Sequence, residues 1–298
     1  MMAGRRAAEH LHEGICVMGQ PIGIFDSGLG GLTVVRAIRS LLKAESIVYF
    51  GDTARVPYGT KSGETVARFA SEDCEFLCRY DPKFIVVACN TASAAALPVL
   101  SRRFRQPILG VIEPGARAAA SVCDGRPIGI LGTERTIASG AYGRAIMRLA
   151  PGARLVEKAC PLLVPMVEEG RGPRDPIVRA VLAEYLAPMI EAGVGSVVLG
   201  CTHYPLLKDA IAEVLGPDVR LVDSAEAVAE EVRYLLTTYN LLEPSGRGDL
   251  RLLVSDNPER FREVGQRFLG EQILSVSHVS PEDFYAGLRS EPLVEDGR

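Results

Sequence analysis

Two cysteines close two apolar runs, and each is followed by small hydroxyl or amide residues. Phe84-Ile85-Val86-Val87-Ala88 leads into Cys89-Asn90-Thr91, and Val197-Val198-Leu199-Gly200 leads into Cys201-Thr202-His203. Short β-branched runs read as buried strands, and helix-like sequence follows both. Each thiol is therefore expected where a parallel strand hands over to a helix N-terminus. In open α/β sheets that carboxyl edge is where ligands bind. A helix N-terminus lowers a thiol pKa and favours the thiolate, the reactive form. Two such thiols fit a reaction that needs two similar groups, one on either side of a substrate.

The neighbouring residues admit several chemistries. Asn90 and Thr91 are good N-cap types, so a single Cys89 would read as a capped, buried thiol; the repeat at Cys201 favours a chemical role. Donors at such turns suit a carboxylate or carbonyl ligand. Asp26-Ser27-Gly28 is a common turn, yet Asp26 could orient or deprotonate a thiol, and Ser27 could hold an ammonium or carboxylate. Gly28-Leu29-Gly30-Gly31 lacks the spacing of the dinucleotide fingerprint, and no Lys-Ser/Thr follows it as in a phosphate loop. His203 would allow a Cys–His hydrolase with Cys201 as nucleophile, but that leaves Cys89 without a role. Glu168 either assists from the second half or is a solvated carboxylate at a helix start. None of Lys43, Lys61, Lys83, Lys158 and Lys208 ends a strand in a pyridoxal-type motif.

The elements that must position these residues alternate between strand and helix. Strands are expected at Pro21 to Phe25, Ile47 to Phe50, Phe84 to Ala88 and Ile108 to Ile112, with helices at Leu32 to Leu42, Gly63 to Arg79 and Ala92 to Arg103. That order predicts βαβ units and a parallel sheet. The pattern then restarts. Pro127-Ile128-Gly129-Ile130-Leu131 echoes Pro21-Ile22-Gly23-Ile24-Phe25, Gly132-Thr133 stands where Asp26-Ser27 stood, and the Cys201 strand echoes the Cys89 strand. The expected fold is α/β: two similar parallel-sheet domains related by pseudo-twofold symmetry, with the active site in the cleft between them. The first domain is expected over 21–113 plus 225–298, the second over 114–224, and residues 1–20 form an N-terminal extension. In the last segment, helices are expected over Glu226 to Tyr239 and near Pro258 to Phe268, with strands at Leu250 to Val254 and Ile273 to Val276.

Bulk composition narrows the function classes. The chain has 298 residues, 47% hydrophobic and 23% charged, with a net charge of −4, which is ordinary for a globular protein of this length. No long basic run marks a nucleic-acid partner, and no apolar stretch approaches a membrane span. Residues 1–20 lack the apolar centre of a secretory signal, and His10 and His12 alone do not make a metal site. Seven cysteines, odd in number and irregular in spacing, argue against a disulfide framework and for a reducing compartment. Cys74 and Cys78 share a helix face and read as packed thiols rather than metal ligands.

Four motifs in order make the chain resemble glutamate racemase, of the aspartate/glutamate racemase superfamily. They are Gly23-Ile24-Phe25-Asp26-Ser27-Gly28-Leu29-Gly30-Gly31-Leu32, Gly51-Asp52-Thr53-Ala54-Arg55-Val56-Pro57-Tyr58-Gly59, Cys89-Asn90-Thr91-Ala92 and Gly200-Cys201-Thr202-His203-Tyr204-Pro205-Leu206. The resemblance implies interconversion of L- and D-glutamate without cofactor or metal, supplying D-glutamate for peptidoglycan. It implies that Cys89 takes the α-proton of D-glutamate and Cys201 that of L-glutamate, with Asp26 supporting Cys89, and Glu168 and His203 on the Cys201 side. Ser27, Tyr58, Gly59, Asn90, Thr91, Thr133 and Thr202 are expected to bind the amino acid, together with Asp26 and His203. A homodimer, a cytoplasmic location, and a peptidoglycan-precursor effector are further expectations from the resemblance. Its rivals are a racemase for aspartate or another amino acid, the Cys–His hydrolase, and a protein-binding role toward a DNA topoisomerase.

Overall fold

The computed structural model describes residues 19–286. The rest of the N-terminal extension, including His10, His12 and Cys16, lies outside the described residues. The first half runs β1 (Ile22–Asp26), α1 (Leu32–Leu41), β2 (Ile47–Gly51), α2 (Gly63–Cys78), β3 (Phe84–Val87), α3 (Asn90–Arg103) and β4 (Ile108–Gly110). The second half follows with α4 (Ile112–Ser121), β5 (Ile128–Gly132), α5 (Glu134–Ala138), α6 (Ala141–Leu149), β6 (Leu155–Ala159), α7 (Leu163–Glu168), α8 (Pro176–Glu191), β7 (Ser196–Gly200), α9 (Lys208–Leu215) and β8 (Arg220–Asp223). The chain closes with α10 (Ser224–Thr238), β9 (Leu250–Val254), α11 (Pro258–Leu269), β10 (Ser277–His278) and α12 (Pro281–Tyr285).

These strands form two sheets, ordered β10-β9-β2-β1-β3-β4 and β6-β5-β7-β8. Every strand pair is parallel. The order β2-β1-β3-β4 recurs as β6-β5-β7-β8, so the sequence repeat is a repeat of topology. In each sheet the order reverses between the first and third strands of the unit, and the crevice beyond their carboxyl ends is the expected ligand site. Those ends carry Asp26 and Cys89 in one half, and Gly132 and Cys201 in the other.

Burial explains why the runs fold this way. All residues of β1, β2, β3, β5 and β7 are buried, as parallel strands covered on both faces must be. Helix α10 packs on both α1 and α4, so it bridges the halves.

Three boundaries differ from the sequence reading. Val111 and Ile112 are not strand: α4 begins at Ile112 and accommodates Pro114 in its first turn, where a missing N–H has no helical partner to lose. Ile273 to Val276 pair with no strand, and β10 follows at Ser277. Cys201 is not followed directly by an α-helix. A turn, Tyr204 N–H to Cys201 carbonyl at 3.1 Å, and a 3-10 segment Tyr204–Leu207 intervene before α9. Pro205 near the start of that segment cannot donate a helical hydrogen bond.

Candidate active site

Cys89 is the N-cap of α3, and its Sγ accepts from the Ala92 N–H at 3.5 Å. It also lies 3.7 Å from Ser27 Oγ. Beside it, Asp26 ends β1 and accepts from the Gly28 N–H through Oδ2 at 2.9 Å. Burial pushes the Cys89 thiol up to about 12, with the neighbouring Asp26 charge adding to it, against weaker help from the Ala92 N–H and Ser27. Cys89 and Cys201 are each 6% exposed, a closed site. Burial raises Asp26 as well, opposed by the charge of His203 and the Gly28 and Gly31 amides.

On the other side, the turn after Cys201 brings His203 back toward the sulfur, with Nδ1 at 3.9 Å from Cys201 Sγ and 3.4 Å from Thr202 Oγ1. Its Nε2 lies 2.8 Å from Glu168 Oε1. Burial works to lower the imidazolium pKa, but the hydrogen bonds to Cys201 and Glu168, with their charges, outweigh it and hold it up at about 10. Glu168 is the last residue of α7, not the first of a helix, and is half-buried against His203. The reading as a freely solvated carboxylate at a helix start therefore does not hold.

The Gly28-to-Gly31 run joins the halves. A Cβ on Gly30 would sit 2.1 Å from Thr202 Oγ1 and 2.5 Å from His203 Nδ1. Thr33 Oγ1, in the first turn of α1, donates to Gly30 O at 2.9 Å and lies 3.0 Å from Thr202 O. These glycines allow close approach of two backbones, a reason for them independent of phosphate binding.

The remaining sequence-selected residues gather at the same seam. Thr91 Oγ1 lies 2.9 Å from Thr133 Oγ1 and 3.3 Å from Thr136 Oγ1, and Thr133 lies 3.0 Å from Thr136. Three hydroxyls thus link the N-termini of α3 and α5 across the halves. Gly59 packs on Thr133, where a Cβ would stand 3.0 Å from the Thr133 Cβ. Tyr58 is different: its hydroxyl is buried 2.5 Å from Asp52 Oδ2 and 2.9 Å from Asp73 Oδ2. It can therefore offer a ligand its backbone but not its hydroxyl. Asn90 Oδ1 accepts from the Tyr142 hydroxyl at 2.7 Å, and its Nδ2 is left without a partner.

Thr136, Tyr142 and Phe268 were missed in the sequence. Thr136 had a signal: Thr133 caps α5 by accepting from the Thr136 N–H at 3.2 Å, the spacing of a helix N-cap. Tyr142 and Phe268 arrive from distant segments and had none. Asp26 Oδ1 and Asn90 Nδ2 are buried without a partner, one acceptor and one donor. Such groups are costly unless something pairs with them. Among the described residues, no three His, Cys, Asp or Glu side chains are grouped to hold a metal, and no helix is long and apolar enough to cross a membrane.

Two matched α/β halves each present a thiol at a topological switch point, the place where open α/β sheets hold small ligands. The model of the Asp/Glu/hydantoin racemase family matches residues 22–232. A glutamate racemase from Geobacter metallireducens is 52% identical over 262 residues, covering 88% of this chain and 97% of the relative. The crystal structure of glutamate racemase from Thermus thermophilus in complex with β-chloro-D-alanine superposes with a TM-score of 0.80 at 49% identity, over 88% of this chain and 98% of that one. Escherichia coli glutamate racemase, solved with L-glutamate and the activator UDP-MurNAc-Ala, superposes with a TM-score of 0.67 at 30% identity, over 84% and 95%. The chain belongs to the Asp/Glu/hydantoin racemase family.

Proposed function

We propose that the protein is a glutamate racemase, an isomerase that interconverts L- and D-glutamate with Cys89 and Cys201 as the acid/base pair. The observation that carries the reading is the pairing of two buried thiols with a buried unpaired acceptor, Asp26 Oδ1, and a buried unpaired donor, Asn90 Nδ2. An amino-acid zwitterion supplies the complements, an ammonium for the first and a carboxylate for the second. The α-proton is a very weak acid, so a thiolate takes it from one face while the charge that develops is stabilised by preorganised donors. The opposite thiol returns a proton to the other face, which inverts the centre. Water and a leaving group are not needed, and both thiols have a role, as the hydrolase reading does not allow.

In this reading Cys201, beside His203 and Glu168, takes the proton of L-glutamate, and Cys89, beside Asp26 and Ser27, that of D-glutamate. Thr91, Thr133, Thr202 and the backbone of Tyr58-Gly59 line the ligand. The product would serve peptidoglycan synthesis, and the activator held by the E. coli relative supports an effector of that kind here. We place the domain boundaries at 113/114 and 224/225, in the first turns of α4 and α10.

Chiral analysis of L-glutamate, and separately L-aspartate, incubated with purified reduced protein tests the proposal. Racemisation of glutamate alone is expected. Turnover of aspartate instead would overturn the substrate, and no turnover with or without the peptidoglycan precursor would overturn the activity. Cys89→Ser and Cys201→Ser should each lower the rate by about 10²- to 10⁴-fold, the usual contribution of a general acid or base. A hydrolase would lose activity only with Cys201→Ser.

A further inference from the structure

We infer that Phe268 is a positioning residue for this reaction: α11, delivered from the first sheet, uses it to hold His203 of the second half against Cys201. The inference rests on the proposed racemase reading. The ring of Phe268 meets the His203 imidazole with centroids 5.0 Å apart at 81°, an edge-to-face contact. Phe268 is fully buried and His203 nearly so, so the ring also shuts water away from the imidazole on that side.

The neighbouring contacts fix the same place. Arg267 Nη1 donates to the Val167 carbonyl at 3.0 Å, one residue before Glu168, the other partner of His203. A cation there also complements the C-terminus of α7. The last turn of α11 is itself pinned: Gly270 takes a left-handed conformation, φ 77°, and donates to Gln266 O at 2.9 Å, the helix-ending geometry that glycine serves. Two adjacent side chains of that turn therefore reach both members of the His203–Glu168 pair. Since α11 follows β9 of the first sheet and packs on α1, the Phe268 contact on His203 lasts only while the halves keep this arrangement. Proton transfer at the Cys201 face thus depends on a helix from the other half.

Phe268→Leu keeps apolar bulk without the ring, and Arg267→Met keeps the stem without the donor; neither touches substrate. Each is compared with wild type by racemisation rate in both directions and by the primary isotope effect with α-deuterated L- and D-glutamate. Phe268→Leu should lower kcat/KM by about 10- to 100-fold, as small misplacements at an active site do, and Arg267→Met should shift it the same way by less. The isotope effect should rise with L-glutamate, whose proton goes to Cys201, and fall with D-glutamate. A role in stability alone would lower the rate without that opposite movement. Unchanged isotope effects in both variants, or equal shifts in both directions, would overturn the inference. Absence of racemisation in the wild-type protein would instead overturn the reading it rests on.

Discussion

Gly30→Ala tests whether the halves must touch as closely as they do. The added methyl would stand 2.1 Å from Thr202 Oγ1 and 2.5 and 2.6 Å from the His203 ring atoms Nδ1 and Cε1. To reach even 3.0 Å, below which Cβ contacts are essentially not found, the threonine side chain must retreat by about 0.9 Å. Neither obstacle is the loose end of a long side chain. Thr202 is buried with its carbonyl beside Thr33, and His203 is buried between Glu168 and Phe268. The strain is therefore shared by the seam, at about 1–3 kcal/mol of stability for overpacking of this kind. A displacement of roughly 1 Å at an acid/base site costs about 10²-fold in rate. Polarimetric or circular-dichroism assay of kcat/KM, beside thermal melting, measures both. Gly63→Ala is the control: it opens α2 with nothing within 4 Å and should be neutral or stabilising by about 0.4–1 kcal/mol. If Gly30→Ala melts normally and retains wild-type kcat/KM, the close approach of Gly30 to Thr202 and His203 has no catalytic importance.

Three other outcomes follow from the site. His203 is raised from 6.5 to about 10 in the folded protein, so its contribution to stability is fully present below about pH 6.5 and is lost as pH rises through about 10. Glu168→Gln removes part of the cause, and melting temperature against pH should flatten over that window. Asp26→Asn removes the charge that adds to burial at Cys89. Alkylation of Cys89, followed by peptide mass spectrometry, should then begin at lower pH; an unmoved onset would show that burial alone sets its reactivity. Thr136→Val keeps the shape but deletes a hydroxyl that joins Thr91 and Thr133. Urea unfolding should show a loss of about 1 kcal/mol, and KM should rise because the two partner hydroxyls lose their common anchor.

Much of this architecture is written locally. β1, β3, β5 and β7 are β-branched runs with turn residues at their ends, and each stands within a residue of its expected place. The repeat of Pro21-Ile22-Gly23-Ile24-Phe25 at residue 127 announced the second sheet, whose strand order duplicates the first. What failed was set by packing at a distance. Val111 and Ile112 are as apolar as a strand, yet β4 ends at Gly110 and α4 takes Ile112 into the core. Burial is the same in either state, so hydrophobicity could not choose. The turn after Cys201 depends on Pro205 and on Tyr204, whose hydroxyl reaches the Cys160 carbonyl at 3.1 Å. Glu168 could not be paired with His203 by spacing, because the contact joins α7 to the loop after β7. Phe268 is further still, on a helix outside both repeats.

The halves repeat their topology but not their chemistry, and in the proposed mechanism that asymmetry assigns the roles. Two interacting thiols can share one proton, so the pair can hold one acid and one base, and unequal surroundings decide which thiol is which. Here burial, with the Asp26 carboxylate adding to it, keeps Cys89 in its thiol form, while an imidazolium, held up by its hydrogen bonds to Cys201 and Glu168, faces Cys201. The position of Asp26 at the end of β1 is taken by Gly132 at the end of β5, and the carboxylate on the Cys201 side, Glu168, acts through His203 instead. A turnover from L-glutamate moves one proton to Cys201 and one from Cys89, leaving a thiolate beside Asp26. That state is raised in energy by the same charge and burial that hold Cys89 protonated at rest. Enantiomers have equal free energies, however, so kcat/KM must be the same in both directions whatever the surroundings of the two thiols. The unequal flanks can therefore act only by exchanging kcat against KM, one enantiomer being bound more tightly and turned over more slowly than the other.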